Sequence, residues 1–485
     1  MSGRVSAFGA ALKRFRLAAG LTHEALAERA VLSARTISDL ERGVAQAPRR
    51  QTLALLARGL RLTPEQRQVL EASARPAATR ERAGRRRHTL PAPVTSFVGR
   101  ERETDELRVL LRRAETRLVT LTGSPGAGKS RLAIHVAEGM LDEFEDGVLF
   151  VALAPVADAG EIVASIAQAL DLGPTPDVGL GDVVLETLRE RRVLLLLDNF
   201  EHVLAGAPVL AHLLASCAGV KALVTSRAAL RLSGEQEFPV APLPVPDPDA
   251  PVGELARYPS VALFVDRARL ARPDFGLTSR NAAAVAGICV RLDGLPLALV
   301  LAAARVKLLP PGALLSRLTA PHGSPLRLLT GGARDLPTRQ QTLRGTIAWS
   351  YGLLTDAEQR LYRRLAVFVG GCSVEAAERV CADSSDGGDV LDGIASLVDK
   401  SLLAQEESPD GEARFAMLET IREFGLEQLA ASGEAAAVRA RHTAYFLNMV
   451  ETAGPVLLGA PGLRLRLAAE QDNIRAALRS LVEQG

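Results

Sequence analysis

The chain is poor in cysteine, with only four among its 485 residues. No two of them share a C-x-x-C spacing or a common stretch of sequence, so a disulfide framework is not indicated. We expect buried, reduced thiols of the kind that cytoplasmic proteins carry. The four residues are Cys217, Cys289, Cys372 and Cys381.

Long hydrophobic runs are also missing. The longest, near residues 295–306, ends at Lys307 and is shorter than a bilayer-spanning helix requires. At the start of the chain, Arg4, Lys13 and Arg14 interrupt any apolar stretch that a secretory signal would need. We therefore expect a cytoplasmic protein without a membrane partner.

Lysine is scarce as well, since five lysines stand beside 53 arginines. Charge is uneven along the chain, because residues 1–88 hold 18 Lys and Arg against 7 Asp and Glu, a net charge of +11. The whole chain carries +2, so the remainder (40 against 49) carries −9. A basic first module predicts a polyanionic partner. At this length, about three domains of roughly 150 residues are expected.

One of the five lysines lies in the sequence GSPGAGKS of residues 123–130. The spacing G-x-x-x-x-G-K-[ST] lets successive backbone N–H groups point inward around phosphates, with the lysine reaching the outer ones. A strand pattern at 118–121 and a helical pattern after the loop favour this interpretation over an ordinary glycine turn. The predicted nucleotide-binding residues here are Gly123, Ser124, Pro125, Gly126, Ala127, Gly128, Lys129, Ser130 and Arg131.

A later apolar strand pattern ends in Asp198. An acidic residue at the carboxyl end of such a strand is where P-loop proteins hold Mg²⁺, together with the loop hydroxyl, here that of Ser130. Asn199 follows, and a neutral amide can orient a water but cannot accept its proton, so we expect slow turnover. Lys129 and Asp198 are the predicted catalytic residues, with Glu201 as the candidate base.

The basic N-terminal module consists of short helical patterns. Thr22 and Ser33 are placed to cap two of them, which end near Ala30 and Glu41. The segment LTHEALAERAVLSARTISDLERG resembles the helix-turn-helix of Cro/Xre repressors, whose second helix lies in the major groove. The alternative is a helical protein-interaction module with a solvated basic face. The resemblance implies DNA contacts, with Arg35 reading guanine, from His23, Ser33, Arg35, Thr36, Ser38, Arg42 and Arg49.

Three further segments stand around the phosphate loop: FVGRERE from Phe97, TSR at 225–227 and GLPL at 294–297. With the loop and the acidic strand end, they make the chain resemble the STAND class of signalling ATPases, NB-ARC-like in its motifs. The resemblance implies that the first and third segments lie near the adenine, and that the arginine of the second lies near the terminal phosphate. The residues concerned are Val98, Gly99, Arg100, Arg227 and Pro296.

The part of the chain after Thr342 predicts a winged helix, because helical patterns are followed by a predicted hairpin across 402–417. The STAND resemblance implies the same domain. Many relatives close it with a Met-His-Asp element whose His touches the diphosphate. Here Met417 is followed by Leu418, which cannot hydrogen-bond phosphate. Trp349 is expected in the core of this domain.

The fold class that follows is a multidomain chain: an all-α helix-turn-helix, an α/β P-loop NTPase with a parallel sheet, a helical domain, a winged helix and an α-helical C-terminal segment. The last segment contains AAEQDNIRAALRSL, which resembles the first helix of tetratricopeptide-like arrays. An array needs at least three repeats, so we expect the usual sensor region to be absent or cut off. The predicted divisions are 1–75 for the helix-turn-helix, 76–93 for a basic linker, 94–240 for the P-loop domain, 241–335 for the helical domain, 336–430 for the winged helix and 431–485 for the C-terminal segment.

We therefore expect an ATP/ADP-switched, DNA-binding bacterial transcription regulator with Mg²⁺ as cofactor, in which a slow ATPase serves as the switch. Double-stranded DNA is the predicted partner, and self-association in the ATP state would add half-sites. Two alternatives stay open. One is a DNA-dependent ATPase whose turnover is the purpose, and the other is an immune-type signalling scaffold whose N-terminal module recruits protein.

Overall fold

The structure is a computed structural model, and it falls into two compact units, residues 1–87 and 88–485. Three predicted features lie outside the described residues: the basic linker over 76–87, the DNA contact Arg49 and the hairpin turn at 408–410. The described residues are 7–30, 32–42, 50–60, 62–63, 66, 70, 88–156, 158–173, 178–247, 249–320, 325–330, 332, 341–382, 389–407, 411–453 and 461–484.

The first unit is helical, as predicted. Leu12, Leu26 and Ile37 are fully buried at its centre, because apolar residues recur at helical spacing on the inner faces. Two helices cross closely at Gly9, where a Cβ would lie 2.4 Å from the carbonyl oxygen of Glu41. The described helices are α1 (Ala7–Ala18), α2 (His23–Ala30), α3 (Ala34–Arg42) and α4 (Arg50–Gly59).

A five-stranded parallel sheet lies at the centre of the second unit and confirms the predicted α/β class. Side chains alternate along each strand, so Leu194 and Leu196 enter the core on one face while Leu195 and Leu197 enter the core on the other. Burial on both faces explains why four of the five strands are nearly continuous apolar runs. The strands, in the spatial order β2-β3-β4-β1-β5, are β1 (Leu118–Thr122), β2 (Gly147–Ala152), β3 (Val193–Asp198), β4 (Val220–Thr225) and β5 (Glu235–Pro239).

Helices cover both faces of this sheet. The first face packs against α5 (Glu101–Arg112) and α6 (Lys129–Glu138), whose apolar residues share one core with it. The second face packs against α7 (Ile162–Ala169), α8 (Leu180–Leu188) and α9 (Ala207–Ser216).

The two edges of the sheet differ from the sequence expectation. At one edge, β5 was not predicted, because its sequence Glu-Gln-Glu-Phe-Pro lacks any apolar alternation. Here, Glu237 accepts a hydrogen bond from the Thr122 hydroxyl at 2.8 Å. At the other edge, the N–H of Thr89 donates to the carbonyl of Val148 at 3.2 Å, and Leu90 is buried. The described end of the predicted linker therefore belongs to the sheet.

A helical segment follows the sheet, and then a winged-helix segment in which the strands Ala404–Glu407 and Ala413–Ala416 pair antiparallel and confirm the predicted hairpin. The helical segment contains α10 (Val252–Leu255), α11 (Pro259–Ala271), α12 (Ala282–Arg291), α13 (Pro296–Ala304), α14 (Pro311–Thr319) and α15 (Pro325–Leu328). The winged-helix segment contains α16 (Leu343–Gly352), α17 (Asp356–Leu365), β6 (Cys372–Ser373), α18 (Val374–Cys381), α19 (Val390–Asp399), β7 (Ala404–Glu407), β8 (Ala413–Ala416) and α20 (Glu419–Ala431). The final helices are α21 (Ala435–Ala453), α22 (Pro461–Ala469) and α23 (Gln471–Gln484).

The cysteines agree with the sequence expectation, since all four are buried and free. Burial raises the pKa of Cys289 and of Cys381 to about 12, so both thiols stay protonated at neutral pH. Among the helices of the described ranges, none has the length and apolar content needed to cross a bilayer.

The helical segment touches the phosphate loop through its backbone. The N–H of Leu297, at the start of α13, donates to the carbonyl of Gly126 at 3.2 Å. Just before it, the N–H of Leu243 donates to the carbonyl of Gly294 at 3.0 Å. The chain that leaves the sheet is thus bonded to the turn between α12 and α13, and that turn is bonded to the loop.

The same turn also meets the winged-helix segment at the start of α20. Asp293 accepts the N–H of Thr420 at 3.4 Å, and Arg291 pairs with Glu419 at 2.9 Å. Burial raises the pKa of the Asp293 carboxyl to about 7, and the charge of Glu419 adds to the rise against the opposing effects of the Thr420 N–H and Arg291. Asp293 therefore holds a proton in the folded chain at pH values where an unfolded aspartic acid has lost it.

We expect Asp293→Asn to raise stability at pH 8 by about 2–4 kcal/mol and to change it little at pH 4. The raised pKa means that the folded state keeps a proton which the unfolded state loses near pH 4. This carboxyl therefore costs the wild type stability as the pH rises from about 4 to about 7. The measurement is the thermal midpoint of both proteins at the two pH values. Asp105→Asn, at an exposed position of α5, is the control, and equal pH profiles for wild type and Asp293→Asn would contradict the assignment.

Candidate functional site

The phosphate loop links β1 to α6, and three of its glycines have backbone conformations that other residues rarely adopt. The φ angles of Gly123, Gly126 and Gly128 are 143°, 84° and 91°. A Cβ at Gly123 would lie 2.4 Å from the carbonyl oxygen of Val240. The curled backbone that the sequence predicts is therefore present, and its remaining residues Ser124, Pro125 and Ala127 are buried.

Lys129 follows the loop at the first position of α6. Its Nζ donates to the carbonyl oxygens of Gly123 at 2.7 Å and Ser124 at 3.3 Å. Burial lowers the pKa of this ammonium to about 8, although the nearby charges of Glu201 and Asp198 oppose the shift. Both direct partners are neutral carbonyls, so a phosphate in the loop would offer the ammonium a negative partner that it now lacks at close range.

Asp198 lies at the end of β3, beside the loop, as predicted. The Thr225 hydroxyl donates to its Oδ1 at 2.6 Å. Burial raises the pKa of Asp198, and the side chains of Ser130 and Thr225 oppose that rise. The two predicted magnesium ligands, Ser130 and Asp198, therefore lie close to each other, whereas Thr225 was not predicted as a partner of Asp198.

Arg227 and Glu201 form a buried ion pair next to this carboxylate. The distance from Arg227 Nε to Glu201 Oε1 is 3.3 Å, and their side chains are 7% and 8% exposed. The amide of Asn199 donates to the same Glu201 oxygen at 3.4 Å. Arg227 is therefore not the water-exposed strand-end arginine that its residue type alone would suggest, and its charge helps to lower the pKa of Lys129.

Arg100 and Arg131 connect the phosphate loop and α6 to the chain in and just before the FVGRERE segment. Arg100 is buried, and its Nη2 donates to the carbonyls of Ala127 at 2.8 Å and Ala241 at 2.7 Å. Arg131 donates to the Thr95 hydroxyl at 2.7 Å and to the Ser96 carbonyl at 2.9 Å. Both guanidinium groups are engaged with protein oxygens, so these two predicted nucleotide-binding residues hold the segments together.

A small, open cleft with a volume of about 60 Å³ lies beside the loop. Gly99, between the lining residues Val98 and Arg100, has a φ of 73°, and a Cβ there would come within 2.8 Å of Pro259. Sequence reasoning missed five lining residues that belong to no motif, namely Ser96, Leu243, Leu263, Arg267 and Val300. The predicted residues that line the cleft are Val98, Arg100, Ala127, Gly128, Arg131 and Pro296.

In the first unit, α3 presents the predicted DNA-reading face. Ser33 caps the helix by accepting the N–H of Thr36 at 3.0 Å, and its hydroxyl also bonds that of Thr36 at 2.7 Å. The Arg35 side chain is 91% exposed, with its Nε 3.9 Å from Asp39. Arg42 donates to the same carboxylate at 2.6 Å. Ser38 lies half-buried on this helix.

His23, at the start of α2, has a partner that the sequence did not reveal. Its Nε2 lies 3.0 Å from Oε2 of Glu41, and Arg16 binds the two oxygens of Glu41 at 2.6 and 2.9 Å. Burial alone would raise the pKa of Glu41, but the hydrogen bonds from Arg16 and His23 outweigh it and lower that pKa. One nitrogen of His23 is therefore used inside the module, and the side chain is 36% exposed.

Three domain families match the chain. Residues 7–70 match a helix-turn-helix domain, residues 112–239 an AAA domain and residues 354–430 a winged helix-turn-helix domain. These matches confirm the helix-turn-helix, P-loop and winged-helix assignments made from the sequence. They define a P-loop protein with one helix-turn-helix domain before its AAA domain and a winged one after it.

Curated relatives extend this similarity to most of the chain. Mycobacterium tuberculosis Rv0894, an uncharacterized protein, is 40% identical over 372 residues, which are 76% of this chain and 90% of that protein. The chain belongs to the same family as this protein. The "Putative HTH-type transcriptional regulator Rv0890c" of M. tuberculosis is 41% identical over 78% of this chain, which spans only 41% of that relative's length.

More distant similarities reach other regulators. The regulatory protein AfsR of Streptomyces coelicolor is 31% identical over 67% of this chain and 32% of its own. Among solved structures, a STAND protein with a tetratricopeptide repeat sensor from Pyrococcus horikoshii aligns with 18% identity and a TM-score of 0.29, covering 82% of this chain and 51% of that one. A TM-score this low does not establish a shared fold.

The buried pair in the first unit leads to a stability prediction. We expect Glu41→Gln to destabilise α1–α3 by about 3 kcal/mol, because Arg16 would keep its buried charge without a carboxylate partner. Amide hydrogen exchange of α1–α3 in the full chain measures this local stability. Glu28→Gln, at an exposed position of α2, should leave the exchange unchanged, and equal exchange in both variants would show that the pair does not hold the module together.

Proposed function

We propose that the chain is an ATP/ADP-switched, DNA-binding transcription regulator of the STAND class. The observation that carries this proposal is the glycine loop with its left-handed backbone, followed directly by Lys129 and lying beside the carboxylate of Asp198 at the end of β3. The helix-turn-helix domain over residues 7–70 and the relatives named as regulators support the DNA-binding part.

The residues present fit a magnesium-bound nucleotide. The loop backbone and Lys129 would hold the phosphates, Ser130 and Asp198 would ligate Mg²⁺, and the cleft near Val98 and Pro296 would take the base. Over the described ranges, no cluster of three or more His, Cys, Asp or Glu side chains could hold a metal ion by itself. Magnesium suits such a site, because it takes its remaining ligands from phosphate and water. The bound nucleotide supplies a negative charge that differs between ATP and ADP.

Slow turnover follows from the residues around Glu201. Asn199 occupies the position after Asp198 and can orient a water without accepting its proton.

Within the described part of the chain, Glu201 Oε2 is buried without a hydrogen-bond donor. A carboxylate oxygen in that state could accept a proton, which favours a DNA-dependent ATPase as the second candidate. Turnover stimulated many-fold by duplex DNA would support that candidate, whereas tight ATP binding without turnover would exclude it.

DNA binding would use the exposed face of α3, with Arg35 at base edges and with Arg42 and His23 at phosphates. Self-association in the ATP state would bring two such helices to neighbouring half-sites and raise the affinity without a new contact. The nucleotide can favour one arrangement only through contacts that differ between ATP and ADP, which Lys129, Asp198 and Arg227 could supply.

The nucleotide site can be tested with one charge removal. We expect Lys129→Ala to weaken ATP and ADP binding by at least about 100-fold, because the variant lacks the charged partner of the phosphates. Isothermal titration calorimetry with Mg²⁺ present measures both affinities. Lys307→Ala, at an exposed lysine of the helical segment, is the matched control. Unchanged affinity in Lys129→Ala would refute the site.

The DNA site can be tested through α3. We expect Arg35→Ala to cost about 1–3 kcal/mol on the cognate duplex and little on unrelated duplexes. Arg58→Ala, at an exposed position of α4, should leave the preference intact. Binding is measured by fluorescence anisotropy of the full chain at several salt concentrations. A flat salt response would contradict DNA binding and favour a protein-recruiting scaffold, because release of counterions from DNA demands a slope.

A further inference from the structure

Trp349 is the sole tryptophan of the chain. It lies on α16, at the start of the winged-helix segment, and it is half-buried rather than part of the core as the sequence suggested. Its ring lies 4.3 Å from the guanidinium carbon of Arg227, which is cation–π distance. The ring of His202 meets Trp349 edge-on at 5.9 Å. The winged-helix segment thus places an aromatic face on the arginine at the end of β4.

Arg227 is therefore held from two sides. Glu201, from the sheet, pairs with its Nε, and Trp349, from the winged-helix segment, covers its guanidinium. The backbone is fixed as well, since the Ser401 hydroxyl donates to the Arg227 carbonyl at 2.8 Å. Arg227 lies two positions after Thr225, whose hydroxyl donates to Asp198. The arginine is thus shared between the nucleotide site and the winged-helix contact.

We propose that Trp349 is a positioning residue that holds Arg227 on Glu201, so that ATP, whose terminal phosphate competes for Arg227, must break the Trp349 contact, whereas ADP leaves it in place. This inference rests on the proposed nucleotide binding. A phosphate oxygen offers the guanidinium a stronger partner than an aromatic face does, and ATP presents one more phosphate than ADP. When Arg227 turns to the nucleotide, the winged-helix segment loses one of its contacts with the sheet.

Thermodynamic reciprocity relates the effect of Trp349 on ATP affinity to the effect of ATP on the Trp349 contact. If ATP must draw Arg227 away from Trp349, then the Trp349 contact must lower ATP affinity by the same factor by which ATP weakens the contact. Loss of the ring should therefore raise the affinity for ATP and leave that for ADP nearly unchanged. A residue that only stabilised the fold would lower both affinities together when it is removed.

The experiment uses the full chain with Mg²⁺ and compares ADP with a non-hydrolysable ATP analogue. Because Trp349 is the sole tryptophan, intrinsic fluorescence reports directly on its surroundings. We expect the analogue to change the emission of the wild type and ADP to leave it close to that of the nucleotide-free protein. We also expect Trp349→Ala to raise the ratio of analogue to ADP affinity about three- to tenfold, with Trp349→Phe in between.

The possible outcomes separate this inference from the proposed function. One outcome is that calorimetry shows both nucleotides to bind, while the wild-type emission is the same with both and Trp349→Ala has the affinity ratio of the wild type. In that case the role of Trp349 is refuted and nucleotide binding stands. If the wild type binds neither nucleotide, the proposed function fails and the inference fails with it. The wild-type emission decides the question even if Trp349→Ala does not fold. In Arg227→Ala, the emission difference between the two nucleotides should vanish.

Discussion

The carboxyl edge of the parallel sheet is the constraint on which the nucleotide site depends. The strands of a parallel sheet all end at the same edge, so the segments that follow β1, β3 and β4 must meet there. That geometry brings Lys129, Asp198 and Arg227 together although the chain between them is long. It also concentrates buried charge, with an ammonium and a guanidinium near two carboxylates. Such a group of charges is tolerated because each charge is compensated by a neighbour or by backbone dipoles.

Features encoded by local spacing could be predicted from the sequence. The glycine loop and the apolar strand ending in Asp198 follow from patterns a few residues long. Strand β5 could not be predicted, because its charged residues are held by backbone pairing at an edge rather than by burial. The hydrogen bonds from Arg100 to the carbonyls of Ala127 and Ala241 could not be predicted for another reason. Residue type gives no sign of which distant carbonyl a guanidinium will meet.

The same limit applies to the helix-turn-helix and to the winged-helix segment. A histidine at the start of α2 suggests a DNA contact, but its internal partner Glu41 is 18 residues away and invisible to a local pattern. The sequence analysis placed Trp349 in the core because large aromatic residues are usually mostly buried. Its contact with Arg227 depends on how two segments pack, which no spacing encodes. Residues that couple one segment to another are thus the ones that sequence reasoning misses.

The phosphate loop is built by more of the chain than its own domain. Its first glycine lies against Val240, its central carbonyl at Gly126 accepts a bond from Leu297, and Arg100 ties it to Ala241. A fragment that ends at residue 240, where the sheet stops, would therefore keep every motif residue of the loop and lose two of the backbone partners that shape it. The smallest piece that can carry the intact cradle must reach through α13, so the helical segment is part of the nucleotide-binding body rather than an appendage to it.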